Sequence, residues 1–181
     1  MLILSDKECI SRINKGECFH AEVEGGAFRV KIDEYAPIIC TAIHSGTKLR
    51  TELLSTFLLS KEEQRYEEAP FTDDLISSFP IQLIANDSRF EYDLNRAKTL
   101  STSYKPASGN KVWEKAFTKK QRLKSHAKHQ SFYDVLEAII RYVEKQFKNA
   151  IVFDIRTYNY QQIESNSPTF NVGTGQIDVE R

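Results

Sequence analysis

The chain has 181 residues, of which 28% are charged, and its 25 Lys and Arg balance 25 Asp and Glu. That length suits one domain, residues 1–181, with a real hydrophobic core. A formal net charge of zero gives no overall field that would favour nucleic acid or a membrane surface, and no apolar run approaches the roughly eighteen residues that a spanning helix needs.

The first residues, Met1 to Glu8, turn charged too early for a secretory signal. Cys9, Cys18 and Cys40 are odd in number and widely spaced, with no CxxC pair, so the default expectation is a reducing cytoplasm. Residues 18–33 read as a hairpin. Phe19, Ala21 and Val23 alternate with polar neighbours, Gly25-Gly26 forms the turn, and Phe28, Val30 and Ile32 alternate again. Ile38 to Ile43 is a continuous apolar run of strand length, suited to a central strand, and it runs into His44-Ser45-Gly46. A polar triplet with glycine just past a buried strand is where α/β sheets place ligands.

Leu49, Leu53, Leu54, Phe57 and Leu58 recur at helical spacing and predict a helix over 48–59. Ser60-Lys61-Glu62-Glu63 has the capping-box pattern of a second, short helix, and Glu67 to Asp74 reads as an acidic loop turned by Pro70. Residues 81–86 read as a strand. Ser88 to Arg96 reads as another, with Phe90, Tyr92 and Leu94 alternating against a solvated face of Glu91, Asp93 and Asn95. From Ala97 to Ala127 the chain turns polar and basic, the expectation being a solvated helix and loop, with His126 and His129 at the surface. Ser131 is a good N-cap for a helix over 131–148 whose apolar face runs through Phe132, Val135, Leu136, Ile139, Val143 and Phe147. Ala150 to Ile155 is a second buried-strand candidate, followed by Arg156-Thr157-Tyr158-Asn159. Residues 167–175 read as a short strand and a Gly-rich turn. There is no internal repeat, low-complexity tract or linker.

If the apolar strands lie parallel in one sheet, His44, Asn95-Arg96 and Arg156 meet at one mouth. An Arg beside an Asn can meet a carboxylate in a forked geometry. His44 is open to two readings, metal ligand or hydrogen-bonded strand end. No HxxxH, HxH or HExxH pattern accompanies it, and no GxSxG occurs.

Four blocks in order resemble the N-formylglutamate amidohydrolase family: Ile43-His44-Ser45-Gly46, Leu49-Arg50 with Glu52-Leu53, Glu67-Glu68 with Pro70-Phe71-Thr72, and Ser88 through Arg96. Phe132-Tyr133, Phe153-Asp154-Ile155 before Tyr158-Asn159, and Asn171 to Gly175 resemble its later blocks. The resemblance implies a three-layer α/β/α fold with a central mixed sheet, of the phosphorylase/hydrolase-like, zinc carboxypeptidase-like kind. It implies hydrolysis of an amide bond next to a free carboxylate, with zinc activating a water, an acidic side chain managing the proton and arginines holding the carboxylate. Carried over, His44 is a zinc ligand, and Asn95 and Arg96 bind the carboxylate with Arg89 as support or second contact.

The departures fall on metal-binding and proton-handling positions. Thr47 and Ala69 stand where the resemblance implies His and Asp, and Arg156-Thr157-Tyr158-Asn159-Tyr160 replaces a His-Ser-Tyr-Asn-His segment. A lone His44 does not make a three-ligand zinc site, and Arg156 puts a fixed cation where Zn²⁺ would sit. Glu52, Glu67, Glu68 and Asp154 offer oxygens, without a spacing that singles them out. The chain ends at Arg181, soon after Tyr160, which leaves the late general-base Glu of the related carboxypeptidases without a counterpart and makes the domain look short at its C-terminus. Zinc is therefore implied by the resemblance, whereas the residues present predict no stoichiometric metal. The readings that follow are a zinc-dependent amidohydrolase and an inactive relative that binds a small acidic molecule or a peptide carboxylate through Arg89, Asn95, Arg96 and Arg156. A third is a structural partner domain that docks through 111–129. None involves nucleic acid or a membrane.

Overall fold

The elements start where local chemistry says they should. Ser5 caps α1 (Asp6–Asn14) and Ser60 caps α3 (Lys61–Glu67), each in a reciprocal box with the Glu three residues on. Gly25 and Gly26 both take positive φ, 81° and 70°, in the tight turn joining β2 (Phe19–Val23) to β3 (Phe28–Ile32). The computed structural model of the chain describes residues 1–103, 105–106 and 109–157, so the predicted blocks at 158–160 and 167–175 lie outside the described residues.

Around these lie β1 (Leu2–Leu4), β4 (Ile38–Ala42), α2 (Thr51–Leu54), α4 (Thr72–Leu75), β5 (Ile81–Ala85), α5 (Lys119–Phe147) and β6 (Ile151–Asp154). The described strands form one six-stranded mixed sheet in the order β1-β2-β3-β5-β4-β6. β3 runs antiparallel to both of its neighbours, and the β1–β2, β4–β5 and β4–β6 pairings are parallel. The carboxyl ends of β5, β4 and β6 therefore open side by side.

The two faces of the sheet carry unequal cores. On one, α1 and the second half of α5 bury Ile13, Phe28, Val30, Leu83, Phe132, Val135 and Ile139 in a continuous cluster. On the other, Cys40, Ala42, Ile76 and Ile84 make a small cluster beneath the short helices. The result is an α/β fold with helices on both faces. Among the described residues no helix is long and apolar enough to cross a membrane.

Four predicted elements come out differently. The helix over 48–59 shrinks to Thr51–Leu54. Leu54 and Leu58 are exposed, and Phe57 instead bridges to Trp113, their rings 5.1 Å apart. The helix over 131–148 begins twelve positions earlier, at Lys119, capped by a Thr118–Gln121 box, so Ser131 lies inside it. Its basic first half, read as solvated helix and loop, is held by Arg50 on the Gln121 carbonyl and Ser125 hydroxyl and by Glu52 on Lys124. Among the described strands β6 lies at the edge of the sheet, and its Ile151, Val152 and Phe153 are exposed, not buried. Ser88 to Arg96 is no strand at all but a sequence of turns, and two of the three residues expected on its solvated face, Glu91 and Asp93, are fully inside, Asn95 alone staying exposed.

Candidate functional site

That inversion makes the site. Glu91 accepts the Arg50 backbone N–H at 3.0 Å and pairs with the Arg50 guanidinium at 2.6 Å and the Lys128 ammonium at 3.2 Å. Lys128 also reaches Asp87 at 2.7 Å, and Tyr92 donates its hydroxyl to the same Asp87 carboxylate. Carboxylates without water need partners of this kind, because an unpaired buried charge costs several kcal/mol.

Asp93 is the hub on the cleft side. Its Oδ1 meets His44 Nε2 at 2.8 Å and accepts the Asn95 backbone N–H at 2.9 Å. Its Oδ2 takes Arg89 Nη2 at 2.9 Å and Arg96 Nε at 3.5 Å. Burial alone would raise the Asp93 carboxyl, but the His44 hydrogen bond and the Arg89 charge outweigh it and hold the group well below the usual carboxylate range. His44 moves the other way. Burial lowers it, the Asp93 hydrogen bond opposes that, and Arg89 and Arg156 add to the lowering. The ring is therefore neutral at neutral pH. Since ionised Asp93 only accepts, the proton sits on His44 Nε2.

β6 brings the third cation. Arg156 Nε donates to Asp154 Oδ2 at 2.5 Å, while the Thr41 hydroxyl on β4 donates to Asp154 Oδ1 at 3.0 Å. Between the end of the 88–96 turns, α5 and β6 lies a cleft of about 580 Å³ with Asn95, Arg96, His129, Tyr133, Asp154 and Arg156 among its walls. Tyr133 donates its hydroxyl to the Leu94 carbonyl at 2.5 Å and lies against the His129 ring, which in turn bonds the Arg96 carbonyl at 2.9 Å. These contacts tie the arginine-bearing turn to α5.

Of the residues picked from sequence, Asn95, Arg96 and Arg156 are brought to this one cleft. Arg89 lies behind it, between Asp93 and the Glu67 carbonyl, and His44, 3% exposed, is not part of the wall. His129, expected at the surface, is buried at the cleft. Asp93 is the residue that sequence reasoning passed over. The signal was a carboxylate four residues after Arg89 and three before Arg96, the spacing at which one acid serves two guanidiniums.

Among the described residues the donor set does not suit a three-ligand zinc. Among the described residues no group of three His, Cys, Asp or Glu is placed to hold a metal ion. The His44 nitrogen nearest the hub is engaged by Asp93, and Ala69 gives only its backbone N–H, to the His44 carbonyl.

Glu68 sits beside this assembly, 5% exposed. Its Oε1 accepts from Ser88 Oγ at 2.5 Å and Gln64 Nε2 at 2.8 Å, while its Oε2 has no hydrogen-bond partner among the described residues. Burial pushes its carboxyl up to about 7, with the Ser88 and Gln64 bonds and Arg89 pulling the other way. Between its ordinary value of 4.5 and about 7 the folded chain holds a proton that the unfolded chain has released. Stability contributed by this group is thus full below about pH 4.5 and falls as pH rises through about 7. Glu68→Gln is expected to gain on the parent chain across that window, by an amount on the order of 3 kcal/mol at most. Urea denaturation at pH 5 and pH 8 measures this; an equal difference at both pH values would refute it.

The family model described as N-formylglutamate amidohydrolase matches residues 36–179. The match leaves β1, α1 and the β2–β3 hairpin wholly outside it, although three of the sheet's strands lie there. No curated protein and no solved structure matches the chain.

Proposed function

The chain belongs to the N-formylglutamate amidohydrolase family, and from that membership we propose that its cleft binds a small molecule or peptide end bearing a free carboxylate next to an amide. The family is one of N-formylglutamate amidohydrolases, so the likeness to a hydrolase holds at family level. The observation that carries the binding reading is the convergence of Arg96 and Arg156, from two separate elements, on one cleft, each guanidinium tethered by its own acid. Tethered guanidiniums lose little entropy on meeting a ligand carboxylate, and their fork geometry suits it. In this reading Arg96 and Asn95 take the carboxylate, Asp93 fixes Arg96 and Arg89, Asp154 and Thr41 fix Arg156, and the chain is an anion-binding relative, without resident zinc.

Isothermal calorimetry with N-formylglutamate tests this. Binding is expected to persist after EDTA treatment, and Arg96→Ala is expected to weaken it by roughly 1.5–3 kcal/mol, the scale of a hydrogen bond to a charged group. Unchanged affinity in Arg96→Ala would remove the clamp. About one zinc per chain in metal analysis, lost together with binding on EDTA treatment, would return the site to a metal-dependent hydrolase.

A further inference from the structure

The cleft also holds a titratable group that the carboxylate reading leaves unused, and this inference rests on that reading. His129 of α5 is 5% exposed and lines the same cleft as Asn95, Arg96 and Tyr133. Its Nε2 lies 2.9 Å from the Arg96 carbonyl oxygen. A carbonyl only accepts, so Nε2 carries the proton of the neutral ring and Nδ1 is the nitrogen that titrates. Among the described residues Nδ1 has no hydrogen-bond partner. A second proton therefore breaks no bond. Nε2 goes on donating to Arg96, and the ring gains a full charge.

Burial holds His129 below its ordinary value, and the Arg96 carbonyl bond opposes this. His126, three positions earlier on α5, and Lys98 add to the lowering, while Asp93 opposes it. The other titratable or charged groups around the cleft are Tyr133, whose ring centre is 5.0 Å away, Arg96, and Asp154 and Arg156 from β6 and just after it. Lys128, one position before His129, pairs with Asp87 and Glu91. Both nearby carboxylates are engaged, Asp93 by His44 and Arg89, Asp154 by Thr41 and Arg156.

A ligand carboxylate alters this balance. A compact cleft of about 580 Å³ is roughly 10 Å across, near the Debye length of physiological salt, so an anion inside it and a charge on its wall interact with little screening. The anion eases protonation of the ring, and the protonated ring tightens the anion by the same factor. We infer that His129 is a proton-uptake site coupled to the cleft: the chain binds a carboxylate ligand more tightly when His129 is protonated, and takes up a proton as the ligand enters. The carboxyl groups of N-formylglutamate stay ionised down to about pH 5, so affinity rises as pH falls from 8 toward that value.

The test is calorimetry with N-formylglutamate at pH 8 and pH 5.5, in two buffers of unlike ionisation enthalpy. The parent chain is expected to bind about threefold or more tighter at pH 5.5, with net proton uptake. His129→Gln keeps an N–H for the Arg96 carbonyl but cannot charge, and is expected to bind equally at both pH values. His126→Gln is expected to behave as the parent does. Histidine NMR titration of the parent chain needs no variant to fold. The His129 ring is expected to titrate at higher pH with saturating N-formylglutamate than without it. Affinity that is independent of pH, a pH dependence that survives in His129→Gln or vanishes in His126→Gln, or a His129 titration that the ligand does not move each overturns the inference and leaves the carboxylate reading standing. No binding at either pH overturns the carboxylate reading itself.

Discussion

Asp93→Ala is expected to destabilise the chain by about 3–5 kcal/mol, the usual consequence of removing one partner from a buried ion pair. The substitution strips Arg89 of its carboxylate, where that side chain is only 15% exposed, and leaves the buried His44 ring and the Asn95 N–H without their acceptor. Urea denaturation measures the loss, and a cost under about 1 kcal/mol would show that the hub is not a stabilising centre. Two companion measurements separate charge from packing. Asp93→Asn keeps an acceptor for His44 and should cost less. Adding Arg89→Met to Asp93→Ala should recover part of the loss, because the cation that Asp93 balanced goes with it. The pH dependence has a definite sign. The folded Asp93 carboxyl is depressed, so its contribution is present above the unfolded value of about 4 and is lost as pH falls below it. The parent chain should weaken with acid in that range, and Asp93→Ala should weaken less steeply.

Gly46→Ala is expected to cost roughly 3 kcal/mol or more, through steric conflict and not through backbone strain. A Cβ at Gly46 would lie well inside contact distance of the Asn86 carbonyl carbon and oxygen, and 2.5 Å from the Asp87 oxygen. All three are backbone atoms and have no rotamer to move to. They are also fixed, since Lys48 N–H donates to the Asn86 carbonyl at 3.0 Å and Ser88 N–H to the Lys48 carbonyl at 2.7 Å. The loops after β4 and β5 are zipped together where the glycine passes. Prising them apart would displace His44 on one side and the Ser88–Arg89 turn on the other, so ligand binding should fall along with stability. A variant with parental stability and affinity would mean that the two loops separate at no cost. Gly46 thus belongs to the site through its lack of a side chain, and its place after a buried apolar strand was the visible hint.

The elements legible from sequence were those whose signal is local. The Gly25-Gly26 hairpin depends on two residues that accept positive φ, the Ser60 cap on a hydroxyl and a carboxylate three apart, and β4 and β5 on short apolar runs. The blocks shared with the family gave Asn95 and Arg96, and the cleft carries both. The first half of α5 is the largely solvated helix that its basic sequence suggests, but its continuity with the second half is not legible, because its polar residues have no apolar period. Its order comes from Arg50 and Glu52, which lie far away in the chain. The 88–96 segment was misread because an alternating pattern of apolar and charged residues fits a strand with one wet face.

The chain's own letters were thus enough for the α/β class, for the short apolar runs of β4 and β5, and for the block that carries Asn95 and Arg96. Periodicity and turn chemistry act over a few residues and survive without a fold. Only the tertiary structure decided that Glu91 and Asp93 point inward, that His44 is committed to a carboxylate, and that Arg156 stands across a cleft from Arg96. A charge is buried only where partners meet it, and here those partners come from 41 and 49 positions away, Arg50 for Glu91 and His44 for Asp93. Such pairings exist only once the sheet and α5 have brought the segments together, because the cost of removing a carboxylate from water is offset by groups that no local pattern contains.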